Sequence, residues 1–158
     1  MLKVENLTFT YPGRGEPTLR DVTLKVSRGE FVLVTGPTGC GKSTLLKTIN
    51  GLIPHESGGR LKGKVVVDRK DTHKSSLSEI TQRVGLVFQS PDDQIFSSMV
   101  ENEVAFGPEN LCLRREVIEE RVRESLDLVG LGGFRERVTS TLSGGEKQRL
   151  AIASVLAM

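Results

Sequence analysis

Nine residues, GPTGCGKST (36–44), constrain this chain more than any other stretch. They follow the pattern of a glycine, four free positions and Gly-Lys-Ser, with Gly36, Gly41, Lys42 and Ser43 in register. The continuous apolar run FVLVT (31–35) precedes them, and TLLKTINGL (44–52), which reads as a helix, follows. Strand, glycine loop and helix in that order make a phosphate cradle. The glycines let successive backbone N–H groups converge, and the helix adds unpaired N–H groups and the positive end of its dipole. Lys42 is placed to reach the β- and γ-phosphates of a nucleotide, and the Ser43 hydroxyl to ligate Mg²⁺. Pro37, Thr38, Gly39, Cys40 and Thr44 complete the candidate nucleotide-binding loop.

Two kinds of strand are expected around this loop. LKVENLTFT (2–10), TLRDVTLKV (18–26) and KVVVD (64–68) are bounded by turn residues, and the first two alternate apolar and polar, as half-buried antiparallel strands do. FVLVT (31–35) and VGLVF (84–88) are continuous apolar runs, the pattern of parallel strands covered on both faces. The reading is an α/β fold, a parallel-sheet core beside a small antiparallel sheet.

The second half reads as helical. RREVIEERVRESLDLV (114–129) places Ile118, Val122, Leu126 and Val129 at helical spacing, and residues 99–111 form a second helical stretch. A last helix begins after Leu142, where Ser143 and Glu146 have the spacing of a capping box. From Leu150 onward it is apolar nearly all round and is expected to be buried. The mouth of this helix, LSGGE (Leu142, Ser143, Gly144, Gly145, Glu146), is a second candidate anion site, although alone it reads as an ordinary cap.

Taken with the first loop, LSGGEKQR resembles the signature motif of the ATP-binding cassette (ABC) ATPases, a P-loop NTPase family. The resemblance implies a cassette in which Leu142–Glu146 meet ATP held by a second cassette, making a homo- or heterodimer. It implies that Tyr11, about twenty-five residues before Gly36, stacks on adenine; the alternative is a strand-end aromatic in the small core. Gln89, after VGLVF, falls where the family's Q-loop glutamine helps hold Mg²⁺ and the attacking water. The segment QSPDDQIFSSMVENEVAFGPENL (89–111) looks like that of cobalt-type and energy-coupling-factor importer ATPases. This implies uptake of a small solute, a metal ion or a vitamin, and attachment to the cytoplasmic face of the membrane. A groove near residues 89–106 would take a membrane subunit, with Ile95, Phe96, Met99 and Phe106 lining either that groove or the helical core. The expected organisation is 1–98 for the nucleotide-binding core with its antiparallel β subdomain, 99–142 for a helical subdomain, and 143–158 for the signature and its helix. A non-transport ABC ATPase acting on nucleic acid or the ribosome, or an inert ATP-binding module, is the alternative.

Composition narrows the partners. A net charge of +2 argues against nucleic acid as the main partner, and one Tyr, six Phe and no Trp argue against stacking single strands. Cys40 and Cys112 lack metal-ligand spacing, which fits a reducing compartment, and Cys40 reads as filling a permissive loop position. His55 and His73 read as solvated loop residues. No run is long enough for a membrane span, and a soluble chain is expected. The family's next elements, an apolar strand ending in Asp-Glu and a switch histidine, are not found after Leu142, so a cassette fragment without a general base is expected. Asp68, at the end of KVVVD, and Asp92 with Asp93, after VGLVFQSP, are the carboxylates that imitate the missing one. Phosphate release by the 158-residue chain is therefore expected at background. Turnover that vanished on Asp68→Asn or Asp92→Asn would instead give that residue the catalytic role.

Overall fold

The computed structural model describes residues 1–158, which divide into two compact units, Met1–Leu86 and Val87–Met158. The first unit holds strands β1 (Leu2–Thr10), β2 (Leu19–Val26), β3 (Arg60–Val67) and β4 (Lys70–Asp71) in one sheet of order β2-β1-β3-β4. Every pairing is antiparallel. Helices α1 (Lys42–Ile49), α2 (Leu52–His55) and α3 (Leu77–Thr81) complete this unit.

One face of the sheet is buried. Val4, Leu7, Phe9, Leu19 and Val65 pack with Leu45 of α1 and Ile53 of α2. Val4 and Leu7 are three residues apart, which simple alternation would put on opposite faces. A break in register between them resolves this: Asn6 takes a φ of 48°, and its side-chain amide donates to Asp21 of β2 at 2.9 Å. Across β1, Gly63 of β3 sits at φ 88°, and a Cβ there would overlap the carbonyls of Glu5 and Asn6. β3 and β4 are joined by Asp68 and Arg69, both at positive φ, as a tight two-residue hairpin of this hand requires.

The parallel core expected from FVLVT and VGLVF does not form among these residues. Residues 31–35 and 84–88 belong to no sheet, and Phe31 and Leu33 are 91% and 77% exposed. A buried parallel strand needs neighbouring strands for its N–H and C=O groups and helices over both faces. No other segment of the chain supplies those neighbours, so the two runs stay unpaired.

The second unit is helical: α4 (Val100–Asn110), α5 (Arg115–Leu128) and α6 (Gly144–Leu156). Their core joins Val100 and Val104 of α4, Val122 and Leu126 of α5, and Leu150 and Ala153 of α6, with Leu131 and Leu142 from the connections. The expected stripe of α5 is confirmed in Val122 and Leu126, which are buried, while Ile118 and Val129 flank the cluster. Residues 143–158, expected to stand apart from 99–142, share this core, because Leu150 and Ala153 face α4 and α5. The expected burial of α6 holds on one side only: Ile152 and Leu156 are 38% and 53% exposed. No helix is long and apolar enough to cross a membrane. Gly63→Ala is expected to destabilise the first unit by more than about 1 kcal/mol, read as a lower urea midpoint, because the residue must leave its positive φ and push β1 away.

Candidate functional site

Gly41, the residue before α1, has a φ of 99°, and a Cβ on it would lie 3.0 Å from Leu19 Cδ2 and 3.1 Å from the Thr18 carbonyl oxygen. Only glycine permits that approach, which fixes the start of α1 against the start of β2. The first backbone bond into α1 runs from the Leu45 N–H to the Gly41 carbonyl at 2.9 Å. The N–H groups of Lys42, Ser43 and Thr44 therefore open from the helix mouth, with no side-chain cap and no acidic residue in the first turn. Lys42 folds back over the loop: its ammonium donates to the carbonyls of Gly36 and Pro37, both at 2.8 Å, with Cys40 Sγ at 3.7 Å. One loop thus gathers a cation and open backbone donors, a combination that suits a polyanion.

Beside this loop lies a cavity of about 420 Å³ lined by Arg14, Gly15, Thr18, Gly39 and Cys40 among others. Its size falls in the range of small-ligand sites. Thr18, one of its lining residues, has a buried hydroxyl with no hydrogen-bond partner, an orphan that costs about 1–3 kcal/mol. The site fits a nucleotide through the donors that the loop and α1 offer its phosphates.

Tyr11, at the end of β1, meets Phe9 edge-on at 4.8 Å, packs against the sheet core, and has its hydroxyl 3.2 Å from Thr44 Oγ1. Tyr11 thus packs on the small core and also touches α1, a contact that sequence spacing did not suggest. His55 is a correction: it is exposed, but it ends α2 and its Nε2 lies 2.9 Å from the Thr72 carbonyl oxygen, where an N–H donates. Asp68 is engaged by the Met1 amino group at 2.8 Å, which holds its carboxyl below the usual aspartate range. Asp92, on the 3₁₀ turn Pro91–Asp93, is paired with Lys147 of α6.

In the second unit, Ser143 caps α6 and the capping box is complete. The Ser143 N–H and hydroxyl both donate to Glu146 Oε2 at 2.7 Å, and Ser143 Oγ accepts from the Glu146 N–H at 3.4 Å. These bonds, the Ser143 hydroxyl first, hold the Glu146 carboxyl below the usual glutamate range. Gly144 and Gly145 have nothing within 4 Å of where a Cβ would stand, and as the first residues of α6 their N–H groups have no intrahelical acceptor. Leu142 turns inward and is buried. Gln89 is exposed, as is the edge-to-face pair Phe96–Phe106, with centroids 4.5 Å apart; Ile95 packs on the helical core, and Met99 begins α4.

Glu103 was not foreseen. It is 4% exposed, and its Oε2 accepts the N–H of Phe96 at 3.1 Å and of Ser97 at 2.9 Å, so a buried carboxylate braces the turn that presents Phe96. A carboxylate between Val100 and Val104 on an apolar stripe was the available signal. Among the chain's residues no cluster of three His, Cys, Asp or Glu could hold a metal ion.

This glycine loop and helix, with a second open helix mouth at a Ser-Gly-Gly, define a P-loop nucleotide-binding chain of the cassette type. The chain belongs to the ABC transporter family, which it matches over residues 19–158. A provisionally named ABC transporter ATP-binding protein of Methanosarcina acetivorans is 61% identical over 158 residues, all of this chain and 25% of that protein. The energy-coupling factor transporter ATP-binding protein EcfA of Methanothermobacter thermautotrophicus is 49% identical over 160 residues, all of this chain and 50% of that one. Among solved structures, cbiO1 from Clostridium perfringens, described as part of the ABC transporter complex cbiONQ, superposes with a TM-score of 0.86 at 35% identity, over 99% of this chain and 61% of that one. The ATP-binding cassette MJ0796, a dimer bound to ADP and phosphate, gives 0.80 at 32% identity, over 99% of this chain and 69% of that one. The chain thus spans a quarter to a half of these two relatives' length.

Because folding lowers the Glu146 pKa, the capping box contributes stability that is present above the usual glutamate pKa and lost as pH falls through the lowered value. A carboxyl NMR titration is expected to place Glu146 below an ordinary glutamate, and Ser143→Ala to return it upward. A Glu146 midpoint at or above the ordinary value would refute the box.

Proposed function

We propose that this chain is the nucleotide-binding portion of an ABC importer's ATP-binding subunit, working on the cytoplasmic face of the membrane. The observation that carries the reading is the loop at residues 36–44, with three open N–H groups and the Lys42 ammonium in one cradle. There the backbone of Gly36, Pro37, Thr38, Gly39, Cys40 and Gly41 wraps the phosphates of ATP, Lys42 exchanges its carbonyl partners for β- and γ-oxygens, and Ser43 and Thr44 complete the grip. The Ser43 hydroxyl would hold Mg²⁺, whose charge would offset that of the phosphates, and Gln89 is given its part in metal and water positioning by the family resemblance alone. Tyr11 and the cavity beside Thr18 face the nucleoside end of the same ligand.

Leu142, Ser143, Gly144, Gly145 and Glu146 present the second helix mouth to ATP held by another cassette, so that nucleotide closes two copies together. The dimeric MJ0796 cassette supports that part of the reading. The exposed Phe96–Phe106 pair, on the surface near residues 89–106, receives the membrane subunit. The resemblance to EcfA and to cbiO1 favours an importer, and within importers a small solute such as a metal ion or vitamin.

Titration calorimetry on the 158-residue chain is expected to show Mg-ATP binding that weakens at least about tenfold in Lys42→Ala, since a charge-assisted bond is worth about 1.5–3 kcal/mol. Equal affinity in the two proteins would dismiss the loop as the site. Gly144→Asp should leave that affinity unchanged, because the second mouth serves another copy's nucleotide. In full-length protein it should abolish ATP-driven dimerisation in light scattering, through the negative charge and bulk it sets against phosphate. A variant that dimerised normally with ATP would remove the trans role of the signature.

A further inference from the structure

Thr44 and Thr48 lie one turn apart on the buried side of α1, and they use their hydroxyls differently. Thr48 behaves as helical threonines usually do, donating its proton to the Leu45 carbonyl at 2.7 Å. Thr44 has no such bond. The residue four back, Cys40, lies in the loop outside the helix, and the one hydrogen bond Thr44 Oγ1 makes is to the Tyr11 hydroxyl, 3.2 Å away across 33 positions of sequence. Thr44 is 7% exposed, and its neighbour Ser43 and its own N–H belong to the open mouth of α1.

The Tyr11 ring is held independently of its hydroxyl. It meets Phe9 edge-on and packs on the sheet core through carbon atoms that a phenylalanine would also supply. The hydroxyl is therefore the part of Tyr11 that neither core packing nor stacking on a base requires. A hydroxyl carries a single proton. If Tyr11 donates into Thr44 Oγ1, the Thr44 proton is left over, and no backbone carbonyl of α1 takes it.

Resting on the reading of residues 36–44 as a phosphate site, we propose that Tyr11 is a positioning residue for phosphate binding: its hydroxyl donates to Thr44 Oγ1 and turns the Thr44 proton toward a phosphate oxygen at the mouth of α1. Tyr11 then acts on the phosphate end of the nucleotide through Thr44, whatever its ring does at the base. At 3.2 Å the bond is longer than the usual O–H···O distance, so its worth belongs in the range of an ordinary neutral hydrogen bond.

Inorganic tripolyphosphate separates this role from stacking, because it has phosphates and no base. Calorimetry with Mg-ATP and with Mg-tripolyphosphate is run on the 158-residue chain and on Tyr11→Phe, Thr44→Val, Thr44→Ser, the Tyr11→Phe/Thr44→Val pair and Lys42→Ala. Tyr11→Phe is expected to weaken both ligands by the same factor, about two- to tenfold. Thr44→Ser should keep wild-type affinity, and Tyr11→Phe should cost nothing further once Thr44 is valine. Unchanged tripolyphosphate affinity in Tyr11→Phe overturns the proposal, including when its melting temperature falls, since the bond would then be merely structural. An equal loss in the threonine and valine backgrounds also overturns it, because the hydroxyl would be acting elsewhere. Lys42→Ala reports on the underlying reading: if it leaves tripolyphosphate binding intact, the loop is no phosphate site and the proposal falls with it. If Lys42→Ala abolishes binding while Tyr11→Phe does nothing, only the role of Tyr11 is lost.

Discussion

A helix cannot satisfy the N–H groups of its own first turn, and the two helices that carry this chain's site motifs both leave theirs open. At α1 no side chain caps the mouth and no acidic residue occupies the first turn, so nothing internal competes with an outside anion. At α6 the capping box takes the Glu146 N–H, and the two glycines that remain are bare of neighbours. Glycine is what makes both mouths usable. At Gly41 it permits a left-handed backbone pressed against Leu19 and Thr18, and at Gly144 and Gly145 it keeps the approach clear.

An open helix mouth has value only if it is held still, and the antiparallel sheet does this for α1. Leu45 shares the buried cluster of Val4, Leu7, Phe9 and Val65, so the face of the helix opposite the solvent is fixed by burial. Tyr11 adds a polar tie from the end of β1 to the first turn of α1. The sheet depends in turn on one irregularity: without the bulge near Asn6, Val4 and Leu7 could not share a face, and without Gly63 the neighbouring strand could not lie against it.

The helical unit solves a related problem with carboxylates. Glu146 is ionised at the surface and serves as a cap, whereas Glu103 is buried and accepts two backbone N–H groups that a turn would otherwise leave unpaired. Each organises a short stretch of backbone next to an exposed feature: the open glycines in one case, Phe96 in the other. In both the acceptor lies within seven residues of the donors.

Much of this was readable in the sequence because it is local. The loop at 36–44, the capping box at Ser143 and Glu146, the strands β1 and β2 and the stripe of α5 rest on spacings of two to four residues, which are set by backbone period and by the reach of one side chain. What needed the tertiary structure depends on residues far apart in the chain. FVLVT and VGLVF carry the pattern of parallel strands, yet a pattern cannot supply the neighbours a ladder requires, and here they stay unpaired. The half-exposed α6, the bond from Tyr11 to Thr44, the orphaned Thr18 hydroxyl and the brace at Glu103 likewise follow from which surfaces meet. By itself the sequence determined which backbone groups are left open to bind phosphate; only the tertiary structure decided which side chains stand around them, because periodicity specifies a face and packing alone specifies what covers it.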